Sequence, residues 1–300
     1  MTAFFPPLRS LPVEESRAIL RDAPRPEGPP IHQVENRTIP GPGGELAVRI
    51  YRPGVGLRAV IVYFHGGGWV VCDLDSHDRA CRSLADATGA TVVSVDYRLA
   101  PEHPFPAAAD DGLAATSWVA AHADELGVDP NRLAVAGDSA GGNLAAAVPL
   151  MARAAGGPRI AFQLGIYPVL AADFDTPSYR ENAERYFLTR SDMEWFWDQY
   201  VPVRADRTNP IAAPLSEPDL TGLPPSHIIT AEHDPLRDEG AAYANRLREA
   251  GVPSTNTRYG GMFHGFFAMG ALLPTAEQAF ADVTGVLRRV LGEQPPPGSP

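Results

Sequence analysis

Residues 137–142 read Gly-Asp-Ser-Ala-Gly-Gly, between an apolar run, Leu-Ala-Val-Ala at 133–136, and a helix-forming stretch, Asn-Leu-Ala-Ala-Ala at 143–147. The run has the character of a buried strand. A strand that turns sharply into a helix through a serine flanked by glycines is a nucleophile elbow. Such a turn strains the serine backbone and lifts its hydroxyl clear of the sheet. Gly137 and Gly141 leave room where a side chain would meet the neighbouring strand or helix. The competing reading is a Gly-rich strand–helix turn without chemistry. A base, an orienting acid and an oxyanion hole in the right order decide between the two.

The rest of the chain supplies the scaffold that an elbow needs. Residues 45–52 alternate as a strand does, and residues 59–64, 91–95, 133–136, 161–167 and 227–230 are short apolar runs, with a last strand expected at 254–259. Helical patterns fall between them at 78–88, 106–123, 142–154, 236–250 and 275–291, after a short one near 13–20. Strands alternating with helices predict an α/β class: a mostly parallel central sheet with helices on both faces. Residues 46–171 and 209–291 form the expected core, preceded by an N-terminal arm at 1–45. Residues 172–208 break the alternation and hold Tyr179, Tyr186, Phe187, Trp195, Phe196, Trp197 and Tyr200. An aromatic insertion at the carboxyl ends of the strands is a candidate cap over the site. Residues 292–300, Gly-Glu-Gln-Pro-Pro-Pro-Gly-Ser-Pro, are expected to be a mobile tail.

The other catalytic elements occur in order. His-Gly-Gly-Gly-Trp at 65–69 follows the buried run 59–64, so its backbone N–H groups can face a developing oxyanion. The N–H of Ala140, at a helix N-terminus, is a further donor. Of eight histidines, His264 alone stands in a Gly-flanked loop late in the order Ser…Asp…His. Asp234 follows the preceding strand and is placed to hold the imidazole tautomer. Asp238, one helical turn on, is the rival, better suited to solvent or to capping.

Composition narrows the chemistry further. The 25 basic residues are all arginine, which removes a P-loop lysine, a Schiff base and a Ser-x-x-Lys acylase. A net charge of −11 disfavours nucleic acid and anionic membranes as partners. No stretch is long and apolar enough to span a bilayer, and no signal peptide is read at the N-terminus. Two cysteines, Cys72 and Cys81, give neither a disulfide framework nor a metal site, and suit a reducing cytoplasm. No metal and no cofactor are expected. The expected partner is a small-molecule acyl substrate, and a homodimer is left open.

The combination is more specific than any part. His-Gly-Gly-Gly-Trp at 65–69, Asp-Tyr-Arg-Leu-Ala-Pro-Glu-His-Pro-Phe-Pro-Ala at 96–107, Gly-Asp-Ser-Ala-Gly-Gly at 137–142, Asp-Pro-Leu-Arg-Asp at 234–238 and His-Gly-Phe at 264–266 resemble the bacterial hormone-sensitive-lipase family, the family IV esterases of the α/β-hydrolase fold. The resemblance covers residues 45–291. It implies a triad of Ser139, Asp234 and His264, oxyanion donors at Gly67, Gly68 and Ala140, a cap built from the N-terminal arm and residues 172–208, and no cofactor. The implied function is a serine carboxylesterase for short- to medium-chain esters, working through an acyl-enzyme. An amidase or peptidase on the same triad is the alternative. A non-catalytic binding relative is discounted because the triad is complete. Three departures stand out: Cys72, where relatives commonly have glycine and where a thiol lies close to the site; Pro149, which is expected to kink the helix after the nucleophile; and Gly260, in place of an acidic residue.

Overall fold

A computed structural model describes residues 8–184, 186–270 and 272–292. In chain order the elements are α1 (Val13–Asp22), β1 (Gln33–Gly41), β2 (Gly44–Arg52), β3 (Arg58–Phe64), α2 (Asp78–Thr88), β4 (Thr91–Val95), α3 (Ala107–Ala121), α4 (Ala123–Leu126) and β5 (Val128–Asp138). They continue as α5 (Ala140–Ala155), β6 (Phe162–Ile166), α6 (Pro177–Glu181), α7 (Arg190–Tyr200), β7 (Ser226–His233), α8 (Arg237–Glu249), β8 (Ser254–Phe263) and α9 (Pro274–Leu291). The strands form one sheet in the order β1-β2-β4-β3-β5-β6-β7-β8. The pairs from β4 to β8 are parallel, and β2 runs antiparallel to both of its neighbours.

The apolar run of β3 shows why the sheet is covered twice. Val60, Val62 and Phe64 join a core with Leu144, Val148 and the α7 residues Phe196 and Trp197. Ala59, Ile61 and Tyr63 join a second core with Leu84, Val283 and Leu287. Successive side chains point to opposite faces, so a strand buried on both must be apolar throughout.

The sequence order β3, β4 runs one way along the sheet and β5, β6, β7, β8 the other. This reversal falls between β3 and β5, and ligands of open α/β sheets bind at the carboxyl ends of the strands beside such a switch point. Gly66–Gly68, Ser139, Asp234 and His264 follow β3, β5, β7 and β8, respectively, so the topology gathers them at that edge.

β1 was not foreseen: it is polar and half exposed, an edge strand pairing only with β2 and carrying Glu35–Arg37 and Glu35–Arg52 ion pairs in place of an apolar rhythm. β8 runs on through Gly260 and Gly261, which read as a loop, with a register shift against β7 between Ala231 and His233. α5 continues through Pro149 to Ala155. Proline costs that helix one hydrogen bond, but α5 is buried along nearly its whole length and packing holds it. The expected mobile tail, beyond Gly292, lies outside the described residues.

Candidate active site

Ser139 adopts φ 56° and ψ −118° between β5 and α5. A non-glycine residue there costs on the order of 1–3 kcal/mol, so the surroundings must impose it. Three hydrogen bonds do so: Ser139 N–H donates to Ile166 O at 2.9 Å, and Ser139 O accepts from Val169 N at 3.1 Å and Asn143 N at 3.0 Å. Close packing sets the flanking residue types. A Cβ on Gly141 would lie 1.9 Å from the carbonyl oxygen of Phe64, inside backbone that cannot yield.

His264 and Asp234 complete a continuous chain of hydrogen bonds. His264 Nε2 lies 2.9 Å from Ser139 Oγ, and His264 Nδ1 lies 2.8 Å from Asp234 Oδ2. Asp234 is fully buried, and its Oδ1 accepts from Leu236 N–H at 2.9 Å. The Tyr167 ring packs against the imidazole, centroids 4.7 Å apart. Asp238 is engaged elsewhere. Its Oδ2 accepts from Ser178 N–H at 2.8 Å at the start of α6, and its Oδ1 from Arg237 Nε at 2.9 Å. It anchors the inserted segment, which fits the capping role expected of it.

The loop after β3 turns away from its own strand. Gly67 and Gly68 have φ 114° and 60°, and Gly67 O accepts from Val70 N and Val71 N. No acceptor among the described residues takes the N–H of Gly67, Gly68 or Ala140, whereas Gly66 N–H is held by Asp138. His65 secures the loop from inside: its Nδ1 donates to Gly66 O at 2.7 Å, and its own carbonyl accepts from Tyr97 Oη at 2.7 Å. Burial, above all, pushes the His65 imidazole down to about 4, so it stays neutral and keeps that donor in place.

Cys72 has φ 74°, in the left-handed region that favours glycine, so the departure noted in the sequence sets a side chain on strained backbone. Burial pushes its thiol up to about 12, so at neutral pH it is a poor nucleophile.

Two further segments pack against the loop around Gly68. Arg17 of α1 donates to Val70 O at 2.8 Å and Ala100 O at 2.9 Å and pairs with Glu102 at 2.7 Å, tying the N-terminal arm to the turn after Gly68. From α7, Phe196 lies where a Gly68 side chain would be: a Cβ there would meet its ring at 2.1 Å. Trp197 points into the core, fully buried and edge-on to Trp69 at 5.3 Å. Trp195 is half-buried against Phe196. In the sequence Trp195, Phe196 and Trp197 stand as three equivalent aromatics, and only the helical phase of α7 sets Phe196 against Gly68.

Glu239, buried on α8, makes stability depend on pH. Burial holds the Glu239 carboxyl well above its ordinary value of 4.5, while its Oε1 accepts from Leu170 N–H at 2.9 Å. The folded protein therefore keeps a proton that the unfolded chain has lost. Its contribution is fully present below about pH 4.5 and is lost as pH rises toward the folded value. Glu239→Gln, neutral at every pH, is expected to gain stability relative to the parent between pH 5 and pH 8. Urea unfolding at both values checks this, and a constant difference between the two proteins would refute it.

Among the described residues no group of His, Cys, Asp and Glu is arranged to hold a metal ion, and no helix is long and apolar enough to cross a membrane. A family model of the α/β-hydrolase fold matches residues 61–268. The chain is 46% identical over 287 residues to the carboxylesterase NlhH of Mycobacterium tuberculosis, covering 93% of this chain and 90% of that one. It is 41% identical over 256 residues to an ethyl acetate hydrolase of Pseudomonas putida, covering 83% and 80%. A solved α/β-hydrolase enzyme from the metagenome of Lake Arreo, Spain, superposes with a TM-score of 0.91 at 42% identity, covering 96% and 93% of the two chains. With the motifs and the fold, these likenesses settle the assignment: the chain belongs to the α/β-hydrolase fold family, in its hormone-sensitive-lipase branch, and is a carboxylesterase.

Proposed function

We propose that Ser139 is the nucleophile, His264 the general base and acid, Asp234 the residue that orients and stabilises the imidazolium, and the amides of Gly67, Gly68 and Ala140 the oxyanion hole. The unbroken hydrogen-bond chain from Ser139 Oγ through His264 to the buried Asp234 carries this reading. His264 Nε2 takes the hydroxyl proton as Oγ attacks the ester carbonyl. The tetrahedral oxyanion collapses, the alkoxide leaves with the proton from His264, and an acyl-Ser139 ester remains. Water, deprotonated by the same imidazole, then releases the acid. We assign the reaction to the cytoplasm, in keeping with two unpaired thiols, and regard the arm at 1–45 and residues 172–208 as one cap over a core at 46–171 and 209–291.

Substrates in this reading are soluble esters with short to medium acyl chains. The Phe196 ring against Gly68 leaves the oxyanion loop walled on that side. Each methylene that fits contributes about 0.8 kcal/mol, roughly fourfold in kcat/KM, and further carbons clash or stay in water. A p-nitrophenyl ester series below the solubility limit is expected to peak and then fall. Phe196→Ala is expected to move the peak to longer chains. Trp197→Ala instead opens a core cavity and costs about 3–5 kcal/mol of stability. A kcat/KM that kept rising through long chains, with activation at a lipid interface, would overturn the substrate assignment.

A further inference from the structure

The strongest cluster outside the triad lies directly beneath the oxyanion loop. Asp138, the residue before Ser139, is largely buried, and its Oδ1 accepts from Tyr63 Oη at 2.8 Å and from Gly66 N–H at 3.0 Å. His77, where α2 begins, brings Nε2 to 3.2 Å from Oδ1 and 3.3 Å from Oδ2 of the same carboxylate, and to 3.3 Å from the Gly66 nitrogen that the carboxylate also holds. His77 is itself braced: its Nδ1 lies 2.9 Å from Ser76 Oγ, which donates to Asp73 O at 2.6 Å and accepts from Asp73 N–H at 2.9 Å. Burial opposes ionisation of Asp138, yet His77 and Tyr63 outweigh it and hold the carboxyl below its ordinary value. One carboxylate is thus attached covalently to the nucleophile's residue and by hydrogen bond to the residue before Gly67.

We propose that His77 is a positioning residue for ester hydrolysis: by fixing the Asp138 carboxylate, it locks the Gly66–Gly68 amides in register with Ser139. A reading of this cluster as mere core filling accounts for its burial. It does not account for Asp138 bonding to the one amide of the glycine run that faces inward, where its oxygen would lie 2.4 Å from a Gly66 Cβ. Oxyanion donors work only when aimed in advance at where charge develops, so loosening Gly66 lowers transition-state stabilisation and leaves ground-state binding nearly untouched.

The proposal rests on Gly67 and Gly68 as oxyanion donors, and the test separates the two claims. His77→Ala, His77→Gln and Ser139→Ala are compared for kcat, KM, the inhibition constant of a trifluoromethyl ketone that forms a tetrahedral adduct, and Tm. His77→Ala is expected to lower kcat about 10- to 100-fold, less than loss of a donor outright, with KM within about threefold. Inhibitor affinity is expected to weaken by the same factor. His77→Gln, whose side-chain amide still donates to Asp138, is expected to recover to within about fivefold of the parent. Should His77→Ala not fold, Ser76→Ala, which removes the brace on His77 together with the side-chain bonds to Asp73, is expected to lower kcat about threefold at unchanged KM. A folded His77→Ala with parental kcat, a kcat loss equal in His77→Ala and His77→Gln, or parental kcat in Ser76→Ala where that variant carries the test, would overturn the role of His77 while Ser139→Ala remained inactive. Activity retained in Ser139→Ala would instead bring down the catalytic reading beneath it.

Discussion

Ser139→Ala is expected to lower kcat by about 10⁶, the loss seen when the nucleophile of a Ser–His–Asp unit is removed. The fold should survive. Alanine keeps the Cβ and meets the same backbone strain at φ 56°, and the bonds that impose that conformation, to Ile166, Val169 and Asn143, are all made by the main chain. Only the hydroxyl facing His264 is lost. KM should change little, since Oγ acts in the transition state rather than in ground-state binding. A p-nitrophenyl phosphonate should add one covalent group to the parent, located at residue 139 by mass spectrometry, and none to the variant. Label on a different serine, with activity retained in Ser139→Ala at parental Tm, would remove Ser139 from the mechanism.

Much of the fold was legible because burial on both faces of a parallel sheet demands unbroken apolar runs, and those runs are local. The read boundaries of α2 and β4 coincide with the observed Asp78–Thr88 and Thr91–Val95. What escaped was held by partners distant in sequence. β1 is a strand because β2 pairs with it residue for residue from Gln33–Arg52 to Gly41–Gly44, not because its own residues alternate. β8 passes through two glycines because β7 tolerates a shifted register there.

The candidate site divides the same way. Ser139, the glycine run and His264 were readable because each needs a local signature: a strained turn, free amides, a loop after a strand. The residues that hold those groups carry no such signature. His77 reads as one histidine among several, Tyr63 as another apolar residue of a strand, and Phe196 as the middle of three aromatics. Their roles arise only when the strand order brings β3, β5 and α2 together beneath one loop and α7 above it.

The second large effect decides between two acids four residues apart. Asp234→Asn is expected to lower kcat by about 10⁴, as an asparagine at this place stabilises the wrong imidazole tautomer and leaves the imidazolium without its counter-charge. The packing should hold, because the side-chain oxygen of the introduced asparagine can still accept from Leu236 N–H, as the Asp234 carboxylate does. Asp238→Asn has a different expectation. Its carboxylate bonds to Ser178 N–H at the start of α6 and to Arg237, which also pairs with Glu181 at 2.8 Å, whereas the imidazole of His264 bonds to Asp234 and Ser139. Losing that charge weakens the attachment of residues 177–181, so kcat should stay within a few fold while stability falls by about 0.5–2 kcal/mol, the range for a helix cap. Urea unfolding and kcat measured on both variants read the two effects separately. Equal loss of kcat in the two at unchanged stability would mean that the imidazole is oriented by something other than Asp234.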